Sequence, residues 1–271
     1  MKTKTRIAMT LASLALASSA SAADCIIDGN SHASSITSPV KTSTNSTFAG
    51  NLCGHSIHAN SGTCYLRIDD NYGTSSSGTC LTVGRGVIVD GFGSTVSCTD
   101  ASCGDAVAYN SGLGSGSTDV TDLNITGCFT RAAVGSSSAS GARNLTRVNI
   151  DLAGSGCNGT FGALYWDVMD QVKIRNTAEH AISTDGIVRH SIISGSGIGI
   201  LSSPNPTVKN VLMYDNAYSF SGTGGSLTSS VLLYSPDTIC HCKVGSACQT
   251  DVDACIGLTS DPSIVDDEFI E

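Results

Sequence analysis

The segment DVTDLNIT, residues 119–126, decides the fold, because its pattern of apolar residues returns along the chain. It recurs as NLTRVNID at 144–151 and as VMDQVKIR at 168–175. Three later segments keep the same spacing, and the third apolar member advances by 25, 24, 18, 21 and 19 residues. The six sets are Val120/Leu123/Ile125, Leu145/Val148/Ile150, Met169/Val172/Ile174, Ile187/His190/Ile192, Val208/Val211/Met213 and Leu227/Ser230/Leu232.

A short strand that returns at this interval, with no amphipathic helix between, predicts a solenoid of parallel strands. Most repeats also carry a second apolar run, as in Ala132–Val134, Ala163–Tyr165 and Ile198–Ile200. We therefore predict an all-β fold, a parallel β-helix, and a right-handed one because such crossovers are strongly biased to that hand. A β-sandwich of short strands is the alternative. It is disfavoured because the alignment holds position by position through six segments.

The first 22 residues have the features of a secretory signal peptide. Three basic residues precede a short apolar run, and Ala20-Ser21-Ala22 has the small-x-small form of a cleavage site. We expect cleavage before Ala23 and export of the mature chain, whether to the periplasm, the cell surface or the medium. No later segment is apolar enough for a membrane helix, so we expect no membrane insertion.

Twelve cysteines remain after cleavage, and an even number in an exported chain predicts disulfides. Eight precede residue 158, and four lie within 240–255. Because a solenoid exposes apolar surface at both ends, we interpret these clusters as caps. The predicted organisation is an N-terminal cap with irregular coils (23–85), regular coils (86–238) and a C-terminal cap (239–271) that covers apolar outward positions near Leu212. The pairing stays open, although Cys98 and Cys103 are close enough to close a small loop.

The mature chain is strongly acidic. The full sequence has 14 basic and 23 acidic residues. Lys2, Lys4 and Arg6 leave with the signal peptide, so 11 against 23 gives a net charge of −12. Such a chain is a poor ligand for nucleic acid, and we expect no nucleic-acid partner.

The sequence resembles a known superfamily in three places: GVIVDGFG at 86–93, the repeated apolar pattern, and DPSIVDDEF at 261–269. These are similar to secreted bacterial right-handed β-helix proteins of the pectate-lyase-like superfamily. The resemblance covers residues 86–271 and concerns the fold. It implies polysaccharide lyases, glycoside hydrolases, esterases or adhesins, among which the fold alone does not choose.

Residues beside the inward apolar positions should point outward. In adjacent coils this places Arg147, Asp151, Lys173, Arg175 and Arg189 on one patch, which holds four of the 11 basic residues of the mature chain. Similar enzymes cleave acidic polysaccharides by β-elimination, which needs a base and a cation near the sugar carboxylate. The resemblance therefore implies Lys173 or Arg175 as the base. It also implies carboxylate binding by Arg147 and Arg189, and Ca²⁺ at Asp122 and Asp151.

Two interpretations of these charged residues stay open: a ligand site, or ion pairs on the surface. Asp122 lies one coil from Arg147, and Asp151 one coil from Arg175, so these charges could simply pair on a solvated surface. The chain would then be a non-catalytic, monomeric surface or adhesion module that binds a glycan or another ligand. The sequence leaves open whether the protein is an enzyme.

Overall fold

The computed structural model describes residues 24–29, 40–42, 46–48, 53–59, 62–68, 72–74, 78–98, 103–114, 116–136, 142–152, 161–202, 206–221, 226–227, 232–235 and 238–239. Over these ranges the chain is all-β. A helix that is long and apolar enough to cross a membrane does not occur in them. The strands are β1 (Cys25–Gly29), β2 (Val40–Thr42), β3 (Ser46–Phe48), β4 (His55–Ala59), β5 (Cys64–Ile68), β6 (Tyr72–Thr74), β7 (Leu81–Arg85), β8 (Val87–Asp90), β9 (Thr95–Cys98), β10 (Val107–Gly114), β11 (Thr118–Thr121), β12 (Asn124–Thr126), β13 (Ala132–Ser136), β14 (Arg143–Thr146), β15 (Asn149–Asp151), β16 (Phe161–Leu164), β17 (Val168–Asp170), β18 (Lys173–Arg175), β19 (His180–Thr184), β20 (Ile187–Ser194), β21 (Ile198–Ser202), β22 (Thr207–Tyr214), β23 (Tyr218–Ser221), β24 (Ser226–Leu227), β25 (Leu232–Ser235) and β26 (Thr238–Ile239).

The strands stack in three rows, and each coil from β5 to β19 contributes one strand to each row. The first row runs β3-β5-β8-β11-β14-β17, and the second runs β6-β9-β12-β15-β18. Both rows continue into β20 and β22, which are long enough to span the two rows and join them into one sheet. The third row is a separate ten-stranded sheet that starts at β2 and ends at β23. Stacked parallel rows of this kind are consistent with a parallel β-helix.

The predicted stacking of the coils is confirmed. Ile125 pairs in parallel register with Ile150, and Ile150 with Ile174. All three side chains are fully buried. Val120, Leu145 and Met169 form a second buried column in the first row. The second apolar runs form β13, β16, β19, β21 and β23 of the third row. The core is therefore a set of apolar columns enclosed by the rows.

The alignment predicted for the fourth repeat is wrong by one residue. Val188 pairs with Met169, and Ile193 pairs with Ile174, so the inward positions are Val188, Ser191 and Ile193. Ser191 is accommodated inside because its hydroxyl donates to the carbonyl of Arg189 and accepts the amide of Val172. His190, predicted inward, lies partly exposed at the bend. In the sixth repeat Leu233, not Leu232, pairs in register with Met213.

A sharp corner joins the first row to the second in each coil. Two residues make this corner between β11 and β12, between β14 and β15, and between β17 and β18. The first corner residue has positive φ in five consecutive coils, namely Asp122 (54°), Arg147 (52°), Gln171 (55°), His190 (48°) and Asn210 (52°). This left-handed conformation turns the chain sharply without extra residues, at a steric cost for residues other than glycine. The corner therefore keeps one backbone conformation through these five coils.

The N-terminal end of the third row is closed by antiparallel strands, because β1 pairs antiparallel with both β2 and β4. Two disulfides hold this region, Cys25–Cys64 and Cys53–Cys80. The predicted small loop is confirmed by the bridge Cys98–Cys103. Cys128 is also disulfide-bonded. Disulfides of this number fit an oxidising compartment. The predicted cap at 239–271 lies outside the described residues except for Ile239, which ends β26, and outward-facing Leu212 is buried.

Candidate functional site

A shallow groove of about 380 Å³ lies on the outer face of the first row. Successive coils contribute outward side chains in two columns and one corner residue. The first column is Ile88, Asp119, Asn144 and Val168, the second is Thr121, Thr146, Asp170 and Arg189, and the corner residue is Arg147. Because coils repeat at about 4.8 Å, the groove runs along the stack and offers hydrogen-bonding groups at regular intervals. We call it the first-row groove.

One edge of the first-row groove carries a bidentate ion pair. Arg147 donates from Nε and Nη2 to the two carboxylate oxygens of Asp122, at 2.6 Å each. These hydrogen bonds lower the pKa of Asp122, against the opposing effect of its partial burial. The same hydrogen bonds raise the pKa of Arg147. The Arg147 side chain is 52% exposed, so it faces solvent with its charge already balanced.

Arg189 lies in the first row and not in the column predicted for it. It pairs in register with Asp170, and its Nε donates to Oδ2 of Asp170 at 2.9 Å. The corner position that was predicted for Arg189 belongs to His190, whose Nδ1 lies 2.8 Å from Oδ1 of Asp170. Both oxygens of Asp170 therefore have partners, and Arg189 faces the groove as half of a second ion pair.

The remaining polar groups of the groove form a ladder of uncharged or acidic side chains. The Nδ2 amide of Asn144 donates to Oδ1 of Asp119 one coil earlier. Thr121 and Thr146 stand next to each other in the second column. These side chains offer both donors and acceptors at the groove floor, which is the chemistry that hydroxyl-rich ligands need.

Lys173, Arg175 and Asp151 lie on the second row, outside the residues that line the groove. Asp151 and Arg175 are register partners in adjacent coils, as predicted. Asp151 accepts a hydrogen bond from Nδ2 of Asn176 at 2.9 Å. The Nε atom of Arg175 is buried, with no hydrogen-bond partner among the described residues. The five residues of the predicted patch are therefore divided between two rows, with Arg147 at the corner between them.

A calcium ion at Asp122 and Asp151 has little support from the donor set. Ca²⁺ takes six to eight oxygen ligands. Both oxygens of the Asp122 carboxylate accept hydrogen bonds from Arg147, and Asp151 accepts one from Asn176. Within the part of the chain that the structure describes, no group of three or more His, Cys, Asp or Glu side chains is arranged to hold a metal ion. Calcium binding at these two residues stays a prediction.

The turn that carries Phe92 extends the line of the groove by one coil. It was not predicted from the sequence. Phe92, at the turn after β8, is 62% exposed. The guanidinium of Arg67 lies over its ring, with Cζ 3.3 Å from the centroid. The carboxylate of Asp90 accepts a hydrogen bond from the Phe92 amide at 2.9 Å and another from the hydroxyl of Tyr65. The bond to Asp90 raises the pKa of Tyr65.

Sequence reasoning also missed Asp119, Asn144 and Asp170 as groove residues. The signal was available, because all three flank the inward residues of the first row and must alternate outward. Comparison with protein-family models, curated proteins and solved structures finds no match to this chain. The function is therefore inferred from the geometry of the groove.

Proposed function

We propose that this protein is an exported, monomeric glycan-binding module with a right-handed, pectate-lyase-like β-helix fold, and that the first-row groove holds the glycan. The observation that carries the proposal is the repeated floor of the groove. A polysaccharide that lies along the stack meets at least one Asn, Thr or Asp side chain in each of three consecutive coils: Asp119 and Thr121, then Asn144 and Thr146, then Asp170. Such a floor suits a polymer of repeating hydroxyl groups.

The charges of the groove favour a neutral glycan. Arg147 and Arg189 are paired with Asp122 and Asp170, so a sugar carboxylate would meet arginines whose positive charge is already balanced by a protein carboxylate. The rest of the mature chain is acidic and repels polyanions. Neutral sugars need only hydrogen bonds and close contact, which the groove offers without breaking the ion pairs.

The second candidate is a lyase that acts on an acidic polysaccharide, with Lys173 or Arg175 as the base and Arg147 and Arg189 as the carboxylate-binding residues. Its support is the buried, unpartnered Nε of Arg175 one coil from Asp151, among the residues that the structure describes. Lys173 or Arg175, in its unprotonated form, would take the proton next to the uronate carboxylate; the bond to the leaving sugar oxygen would break as the C=C double bond forms, and water would protonate that oxygen.

The test compares purified protein with soluble neutral and uronate polysaccharides, with and without calcium. Affinity electrophoresis measures binding, and ultraviolet absorbance measures unsaturated products. We expect binding to a neutral polymer without product. Asn144→Ala should weaken binding about fivefold, the equivalent of one hydrogen bond. The matched control is Asn149→Ala, because Asn149 is exposed on the second row.

Each candidate has an outcome that excludes it. The glycan-binding proposal fails if the wild type binds no polysaccharide, or if Asn144→Ala binds as tightly as the Asn149→Ala control. Product that forms from a uronate polymer and disappears in Lys173→Ala or Arg175→Ala selects the lyase. Calcium dependence is measured in the same assay.

A further inference from the structure

We propose that Phe92 is a sugar-stacking residue at the end of the first-row groove, and that it selects β-linked hexose polymers whose pyranose rings present an apolar face. This inference rests on the proposed function and names the ligand class. Three observations carry it: the position of Phe92, the support beneath its ring, and the unfavourable backbone that presents it.

The position of Phe92 continues the groove. Asp90 lies in the same outward column as Thr121 and Thr146, one coil earlier, because it pairs in register with Thr121. Phe92 follows it at the corner, one coil before Asp122. The amide of Gly93 donates to the carbonyl of Asp122 at 2.7 Å, which fixes this turn against the next coil. A polymer that lies in the groove and extends one coil further therefore reaches the ring.

Arg67 and Asp90 hold the Phe92 ring in place. Arg67 covers one face by a cation–π contact, and its Nε is shielded from solvent. Asp90 fixes the backbone of Phe92 through the amide. With Arg67 on one face, the large exposure of Phe92 leaves the other face to solvent. A fixed aromatic ring loses little entropy when a ligand stacks on it, so it is a preorganised contact.

The backbone at Phe92 has a left-handed conformation that phenylalanine adopts less readily than Asn, Asp or Gly. Phe92 (φ 48°) and Gly93 (φ 78°) both have positive φ, and the amide of Ser94 donates to the carbonyl of Gly91 at 2.8 Å. This is a tight turn with two left-handed central residues, in which Asn, Asp and Gly are the favoured choices. A phenylalanine that is 62% exposed, with Arg67 against one face, gains little burial in exchange for the strained conformation. Strain at a side chain with so little burial points to a role in binding.

The chemistry of the contact identifies the ligand class. An aromatic face carries negative charge density and attracts the slightly positive C–H groups of a neighbouring molecule. Pyranose rings of β-linked glucose or galactose polymers direct several axial C–H bonds to one face, and this face lies flat on a ring. Uronate polymers add a carboxylate, which the carboxylate of Asp90 beside the ring disfavours.

The test uses three variants of Phe92 and a soluble β-linked glucan as the probe, with isothermal titration calorimetry for binding and thermal unfolding for stability. In Phe92→Asn we expect Kd to rise roughly tenfold, which is the size of one aromatic contact, while Tm stays equal or rises because the turn relaxes. Phe92→Trp should keep the wild-type affinity. Phe92→Leu, which is apolar but not aromatic, should bind like the Asn variant. Tyr218→Ala removes a half-exposed aromatic from the third row and is the matched control, with no expected change in Kd.

The outcomes separate this inference from the proposed function. If Asn144→Ala weakens binding while Phe92→Asn does not, the groove stands and the stacking role of Phe92 is refuted. If Phe92→Asn lowers both affinity and Tm, or if Phe92→Leu binds as tightly as the wild type, the ring has a structural or merely apolar role and the inference is overturned. If the wild type binds no β-linked glucan but binds another polysaccharide through Asn144, the ligand class is wrong. Absence of all polysaccharide binding removes both proposals.

Discussion

Truncation of Ile150 to alanine tests the stack on which every surface neighbour depends. Ile150 is fully buried in the second row between Ile125 and Ile174. The hydrogen-bonded strands on either side prevent the cavity from collapsing, so we expect a loss of about 3 kcal/mol in the free energy of unfolding, within the usual range for such truncations. For a chain of this size that loss lowers Tm by about 6–12 °C.

The assay is urea-induced unfolding under non-reducing conditions, followed by circular dichroism. Asn149→Ala is the control, because Asn149 is the preceding residue and points outward; it should change the free energy by no more than about 0.5 kcal/mol. The double variant of Ile150→Ala and Ile174→Ala should deviate from additivity by at least about 0.5 kcal/mol, since the two truncations share one cavity. Equal losses for Asn149→Ala and Ile150→Ala would refute the inward column.

Three other predictions concern charge and disulfides. The lowered pKa of Asp122 means that its stabilisation is complete above the ordinary carboxyl pKa of 3.8 and is lost as pH falls through the lower folded value. Asp122→Asn should therefore lower the free energy of unfolding by less than about 1 kcal/mol at pH 5–8, and by still less below about pH 4. Urea unfolding across pH measures this loss. Burial raises the pKa of Asp105 despite its ion pair with Arg131. Arg131→Met should consequently lower the free energy of unfolding by about 2–3 kcal/mol at pH 7. This loss should shrink as the pH is lowered and Asp105 takes up a proton. Removal of the Cys25–Cys64 bridge, with a sequence separation of 39, should lower the free energy of unfolding by about 4 kcal/mol. Removal of Cys98–Cys103, with a separation of 5, should lower it by about 2 kcal/mol. Calorimetry of the serine variants measures both losses.

The sequence was sufficient to predict the stacked rows, because the apolar spacing is unambiguous in the first three repeats. It was insufficient in the fourth, where Ile187-Val188 and Ile192-Ile193 are both apolar pairs and either register satisfies the pattern. The structure decides through Ser191, whose hydroxyl finds partners inside. The sequence alone does not indicate that the hydroxyl of Ser191 has hydrogen-bond partners in the core.

The candidate site was predicted less completely for a different physical reason. Alternation identifies outward residues within a strand but fails at a corner, where Asp122 and Arg147 take left-handed conformations. The sequence left open whether Asp122 pairs with Arg147 and Asp151 with Arg175; the structure contains the first of these ion pairs. The Arg67–Phe92 contact joins residues that are 25 positions apart, at a turn with no apolar pattern, so nothing local predicted it.

The constant two-residue corner has a consequence for how such a protein can vary. Repeats differ in length, yet the link between the first and second rows stays the same in each described case from β11 to β18. In these coils length differences are therefore confined to the two edges that border the third row. Segments inserted there leave the spacing of the groove unchanged, so those edges are the natural places for an engineer to graft new loops.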